Sequence, residues 1–346
     1  MFGHWLAAGV GLGVTLLTTP LVRRLALHYG WVDQPNERKV HTVPTPRLGG
    51  LAIYLGLLSG VLVAHWSGTS YRLTRPYGGI LLGASLLVAV GIADDLYDLW
   101  PSLKLLGQTL AALVALSFGV TIQGLALPWR PAGQEWTPLG AWGPLVTVVW
   151  MVALINAVNW LDGLDGLAAG VAFISAATLT TIGLSSAKPD PAAALFTIVL
   201  AGTALGFLPY NFHPAKIFMG DTGAMLLGFL LAAVSVTGVM KSATLVAIGV
   251  PVLALGVPIF DTVQAILGRL QRGQPIYRPD RSHVHHRLLS AGWSHRGAVL
   301  VIWAVSGLFC SAALSLMGLE VASATISVLV GLLLLLLCIR RPTSKG

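Results

Sequence analysis

Asn156, Asn159, Asp162 and Asp165 stand at three-residue steps in NAVNWLDGLDGLAAG, directly after the apolar run PLVTVVWMVALI. A charged side chain near a bilayer centre costs at least about 2.5 kcal/mol, so carboxylates beside such a run are candidates for function. Three more stretches carry comparable chemistry. GIADDLYDLW holds the adjacent acids Asp94 and Asp95, YNFHPAKIFMGDTGAMLLGF places Asp221 at a helix start, and RPDRSHVHHRLL sets His283, His285 and His286 among Arg278, Arg281 and Arg287. Carboxylate oxygens suit a hard divalent cation that leaves positions for phosphate. Arginines suit planar, bidentate capture of phosphate and would repel zinc from the three histidines. Helix capping is the competing role for Asp221. A fifth stretch, DQPNERKVHTVPTPRLGG, is basic and stiffened by Pro35, Pro44 and Pro46.

The elements that position these residues are membrane helices. With 55% hydrophobic and only 10% charged residues, against about 25% charged in soluble domains, the 346-residue chain reads as one all-α polytopic bundle spanning 1–346. Continuous apolar runs without period-two alternation argue against a β-barrel. Cys310 and Cys338 lie in late apolar runs without metal-ligand spacing. A membrane-length window predicts eleven spans: Trp5 to Leu27, Gly49 to Trp66, Gly78 to Ala93, Leu103 to Ile122, Pro144 to Asn159, Gly166 to Leu184, Ala192 to Phe207, Thr222 to Val239, Ser242 to Leu270, Gly297 to Leu316 and Val321 to Ile339. The first has no Lys or Arg before it and closes on Arg23 and Arg24, the reverse of a secretory signal, so it reads as retained. The segment from Gln123 to Gly143 reads as an ordered outer turn with a short hairpin, and 271–297 as an inner histidine and arginine loop.

Eleven crossings put the termini on opposite sides. An outside N-terminus and a cytoplasmic C-terminus place 16 of the 21 Lys and Arg inside. The same orientation places ten of the thirteen acids there, and seven of nine histidines. Reactive side chains gathered at one rim fit an enzyme of the membrane surface, whereas an ion-coupled transporter needs polar groups at the midplane. Asp94 and Asp95 are about 100° apart on a helix, so the pair is expected to have different roles. Gly163 and Gly166 place Asp162 and Asp165 on a tight turn. Metal-holding acids and phosphate-holding bases together suggest phosphoryl transfer. No GxxxxGK[ST] loop occurs, which disfavours a nucleotide-hydrolysing motor, and no nucleic-acid partner is expected.

The motifs DDLYDL, NAVNWLDGLDGLA, IFMGDTGAMLLG and HVHH, in this order, resemble the polyprenyl-phosphate N-acetylhexosamine-1-phosphate transferase family. The resemblance implies a multi-pass enzyme of the bacterial plasma membrane with a cytoplasmic active site. Such an enzyme moves a sugar-1-phosphate from a UDP-sugar to a polyprenyl phosphate with magnesium, or alternatively manganese, and releases UMP. HVHH flanked by arginines, with RKVHTVPTPRLGG, resembles the UDP-N-acetylglucosamine branch acting on undecaprenyl phosphate; the phospho-N-acetylmuramoyl-pentapeptide transferase reaction is the alternative. Residue by residue, the resemblance makes Asp221 a magnesium ligand with Asp95, and Asp94 and Asp95 a catalytic pair. Asp162 and Asn159 fall near the diphosphate, and Asp165, Asn211 and Phe218 by the uridine. His283, His285 and His286 meet the diphosphate and sugar, with Arg281 beside them, and Lys39, His41, Arg47 and Lys104 contact phosphate. A homodimer is consistent with the family, and a direct attack and an aspartyl-phosphate intermediate both remain open.

Overall fold

The computed structural model describes residues 2–35, 43–67, 74–126, 136–185, 189–238, 246–274 and 283–339. Lipid cannot hydrogen-bond a backbone, so each apolar run satisfies its own N–H and C=O groups as a helix. In chain order these are α1 (Phe2–His28), α2 (Gly49–Trp66), α3 (Arg75–Tyr97), α4 (Pro101–Ser117), α5 (Gly143–Leu161), α6 (Leu167–Ser185) and α7 (Pro191–Asn211). They continue as α8 (Gly220–Gly238), α9 (Val246–Ala254), α10 (Gly256–Gln271), α11 (Val284–Ser290), α12 (His295–Leu316) and α13 (Glu320–Ile339). Two antiparallel strand pairs, β1 (Val32–Asp33) with β2 (Thr45–Pro46) and β3 (Gly124–Ala126) with β4 (Trp136–Pro138), and one 3-10 turn at Gly140–Trp142 accompany them. The second pair is the hairpin expected between Gln123 and Gly143.

The chain is thus an all-α polytopic membrane protein. Among the described residues, nine helices are long and apolar enough to cross a bilayer: α1, α2, α3, α5, α6, α7, α8, α12 and α13. α4 is apolar but has only 17 residues. The expected span from Ser242 to Leu270 is not one helix, because α9 and α10 meet at Leu255. Pro258 has no N–H to give the carbonyl of Ala254 four residues back, so the ladder stops there. That carbonyl accepts instead from Ser175 Oγ at 2.6 Å and is approached by Cys310 Sγ at 3.7 Å.

α7 and α8 form the centre of the bundle, with 83% and 89% of their spans buried, whereas α13 has 11% buried and lies at the periphery. α7 packs on α1 and α6, and α8 on α3 and α5. Small residues permit these close crossings, as expected where lipid offers no hydrophobic drive between helices. At Gly50 a Cβ would overlap the Gly223 backbone, and at Gly91 it would overlap Thr222. The N-terminal end of α2 and the C-terminal turn of α3 therefore both press on the first turn of α8.

Up-and-down threading brings the C-terminal ends of α1, α3, α5 and α7 to the same rim as the N-terminal ends of α2, α4, α6 and α8. Hydrogen bonds tie this rim together: Arg23 Nε donates to the Lys216 carbonyl at 3.0 Å. The Gly49 and Gly50 amides donate to the carbonyls of Phe218 and Met219 at 2.9 and 2.8 Å. The acidic motifs identified in the sequence all lie at this rim.

Candidate active site

The first turn of α8 is the hub. A helix start leaves backbone N–H groups unpaired and attracts negative charge. Asp95, from the last turn of α3, answers both needs: Oδ1 accepts from Asp221 N at 2.9 Å, and Oδ2 from Thr222 N at 3.1 Å and Thr222 Oγ1 at 2.6 Å. The neighbouring Asp94 meets Asp221 through its side chain rather than its backbone, a different contact from that of Asp95. It is buried, accepts from Leu99 N at 2.9 Å and pairs with Lys104 Nζ at 2.8 Å. Lys104 reaches Asp221 Oδ2 as well, at 3.0 Å, and Asn159 Nδ2 donates to Asp221 Oδ1. Asp221 is therefore held on both oxygens, by α4 and by α5.

The turn between α5 and α6 supplies the opposite wall. Asp162 ends α5 with its amide bonded to the Asn159 carbonyl at 3.3 Å. Burial, reinforced by the negative charges of Asp221, Asp165 and Asp95, pushes its carboxyl up to about 8. Asp165 Oδ2 accepts from Ala215 N at 3.0 Å and meets His213 Nδ1 at 2.8 Å. His213 stacks on His295, whose Nε2 accepts from the Asp165 amide at 2.9 Å. Asp165, His213 and His295 are close enough to share a cation, but that amide already engages the lone pair His295 would need as a ligand. Asn211 is buried and committed to backbone, accepting from Gly166 N and donating to the Ile217 carbonyl, both at 3.1 Å.

The third wall is the histidine segment: within the loop expected over 271–297, the chain forms α11. His285 and His286 reach the cavity, and their rings lie 4.3 Å apart. His285 lies so tightly over Gly163 that a Cβ there would overlap its imidazole. Burial, with the positive charge of His286 added, holds His285 down to about 3, so it is neutral at ordinary pH. From the β1–β2 side, Arg47 pairs with Asp33 and reaches Asp98 Oδ1 at 3.4 Å.

These walls enclose a cavity of about 370 Å³. Of the residues singled out in the sequence, it is lined by Arg47, Asp95, Asn159, Asp162, Asp165, Asn211, Phe218, Asp221, His285 and His286. Asp94 and Lys104 stand behind Asp221 as its supports. His283 is not in the lining and is bound instead to Asp261. Lys39, His41 and Arg281 lie outside the described residues. Asp33 and Asp98 line the cavity although neither belonged to the expected site; their signal was membership of the quoted stretches, Asp33 opening DQPNERK and Asp98 closing DDLYD. Six carboxylates against one arginine make a strongly negative chamber. Acids outnumber the cations that line the chamber, so the donor set fits a divalent cation held by hard oxygens, Asp221 and Asp162 among them.

Residues 77–239 match the model of glycosyl transferase family 4. The chain is 43% identical over 307 residues to the probable undecaprenyl-phosphate N-acetylglucosaminyl 1-phosphate transferase of Bacillus subtilis, covering 89% of this chain and 83% of the relative. It is 37% identical over 324 residues to the decaprenyl-phosphate N-acetylglucosaminephosphotransferase of Mycolicibacterium smegmatis, covering 87% and 79%. A phospho-N-acetylmuramoyl-pentapeptide-transferase of Pelotomaculum thermopropionicum is 35% identical over 338 residues, covering 90% and 97%. With the matched segment holding Asp94, Asp95, Asn159, Asp162, Asp165 and Asp221 around one chamber, the chain belongs to glycosyl transferase family 4, among the polyprenyl-phosphate N-acetylhexosamine-1-phosphate transferases.

Proposed function

We propose that the protein transfers N-acetylglucosamine-1-phosphate from UDP-N-acetylglucosamine to undecaprenyl phosphate. UMP is released and a lipid-linked glycan of the cell envelope is begun. The observation that carries this reading is the acidic chamber at a helix-bundle rim, in a chain 43% identical to a relative named for that transfer. The chain sits in the bacterial plasma membrane with eleven crossings, the chamber facing the cytoplasm and its UDP-sugar supply. An oxygen of the lipid phosphate bonds to the sugar-linked phosphorus, and the bond from that phosphorus to the bridging oxygen breaks. The electron pair leaves with UMP. A polyprenyl phosphate is already an anion near neutral pH, so strong base catalysis is unnecessary and positioning dominates.

Magnesium, with manganese as a substitute, would be held by Asp221 and Asp162 and would neutralise charge on the diphosphate oxygens. The chain's own groups do the rest. Lys104 and Asn159 fix the Asp221 carboxylate, while His285, His286 and Arg47 offer donors to phosphate and sugar. Phe218 lines the cavity as a face for the uracil ring. Direct attack is favoured over an aspartyl-phosphate. Asp95 has both oxygens bonded to α8, and Asp94 is buried against Lys104, so neither is free to act as nucleophile. The 35% identity to a muramoyl-pentapeptide transferase keeps that donor as the second reading. Purified protein offered each UDP-sugar with undecaprenyl phosphate should release UMP from UDP-N-acetylglucosamine. Release from the muramoyl-pentapeptide donor alone would reverse the assignment.

A further inference from the structure

α10 carries a buried stripe at four-residue steps, Asp261, Ala265 and Arg269, which share one helical face. The small Ala265 leaves room between the two charged residues, and His283, 93% buried at the N-cap of α11, is held there. Asp261 Oδ2 meets His283 Nδ1 at 2.7 Å, and Asp261 Oδ1 accepts from Val284 N at 2.7 Å. One carboxylate thus binds the imidazole and caps the helix that the imidazole begins. On the other side of the ring, Arg269 Nη2 lies 3.4 Å from His283 Nε2, with its guanidinium 5.2 Å over the Trp160 ring of α5. A carboxylate only accepts and a guanidinium only donates. The pair therefore engages both ring nitrogens, Asp261 at Nδ1 and Arg269 at Nε2.

We infer that Asp261, His283 and Arg269 form a latch that docks the histidine helix α11 onto α10, so that Asp261 and His283 are positioning residues and only His285 and His286 of the motif meet substrate. The latch is bidirectional: without Asp261 the imidazole loses its orientation and α11 its cap, and without His283 a buried carboxylate faces Arg269 across a void. Each deletion should release α11 and let His285 swing off Gly163. The expected kinetic signature is a raised KM for the UDP-sugar with a smaller fall in kcat. The double variant should resemble either single one, because the residues act as one unit.

The test uses full-length protein in nanodiscs and the variants Asp261→Ala, Asp261→Asn, His283→Ala and Asp261→Ala/His283→Ala. Hydrogen exchange of the amides at 284–290 is read first, since it needs no substrate. Exchange faster by about tenfold or more is expected in both alanine single variants, as a charge-assisted buried hydrogen bond is lost. Asp261→Asn keeps one acceptor and should fall between them and the unaltered protein. The kinetic half rests on the proposed UDP-sugar transfer: if the unaltered protein shows no transfer, that reading fails while the exchange result still judges the latch. Unchanged exchange overturns the latch. So does a His283→Ala variant that loses kcat a thousandfold with unchanged KM while Asp261→Ala stays active, since His283 would then touch the reacting groups. An altered shape of the pH–rate profile in His283→Ala would overturn it as well.

Discussion

Replacing Asp95 by alanine separates two roles for this residue that the sequence alone could not distinguish. As a metal ligand, Asp95 would be tolerated by the fold and missed only by the cation. In the structure its two oxygens accept three hydrogen bonds from the first turn of α8, two from backbone amides and one from the Thr222 hydroxyl. Loss of a helix cap costs about 0.5–2 kcal/mol, and loss of a hydroxyl bond to a charged acceptor about 1.5–3 kcal/mol. The site is only half-buried, so water replaces part of this, and a destabilisation of about 2–4 kcal/mol is expected. Melting of detergent-solubilised Asp95→Ala, followed by intrinsic fluorescence, should fall by roughly 5–10 °C, equally in chelator and in magnesium. Asp95→Asn, which keeps one carbonyl oxygen, should lie near the midpoint. A metal-free melting curve identical to that of the unaltered protein, with a raised magnesium concentration for half activity, would refute the capping role.

Further outcomes follow from the same geometry. Asp162 has its carboxyl raised from 3.8 to about 8, so the folded protein holds a proton that the unfolded chain releases. Stability of the metal-free protein should therefore decline as pH rises from about 4 to 8, and Asp162→Asn should flatten that decline in a melting series while abolishing transfer. His285 is shifted the other way, from 6.5 to about 3, so stability should decline as pH falls from about 6.5 towards 3, and His285→Gln should remove that limb. Gly163→Ala puts a methyl into the His285 ring and should raise KM for the UDP-sugar at least several-fold with the melting point nearly unchanged; an unchanged KM would remove His285 from the binding wall.

The gathering of chemistry at one rim was legible because carboxylates are rare in apolar runs and Asp94, Asp95, Asp162 and Asp221 stand at helix ends. Helix limits were legible from hydropathy: α2 runs from Gly49 to Trp66, the span the apolar window predicts. The break at Leu255 was less so, since Pro251 and Pro258 interrupt a run that remains apolar throughout, and hydropathy does not register a missing N–H. Three-dimensional pairing was the hidden part. That Asp95 would cap α8, that Asn211 would bond backbone, and that Asp261 would hold His283 all depend on partners 22 to 127 residues away. The 100° angle between Asp94 and Asp95 was the one local clue that adjacent acids make different contacts.

The central claim is tested most directly by Asp221, which Lys104 and Asn159 hold at the heart of the chamber. Asp221→Ala and the unaltered protein, matched for folding by their gel-filtration profile and melting curve, are incubated with radiolabelled UDP-N-acetylglucosamine, undecaprenyl phosphate and magnesium, with and without chelator. The expected result is organic-phase label and stoichiometric UMP from the unaltered protein, abolished by chelator, and nearly complete loss in Asp221→Ala. A folded Asp221→Ala protein that keeps a tenth or more of the activity, or transfer that ignores the chelator, would contradict the metal-centred site.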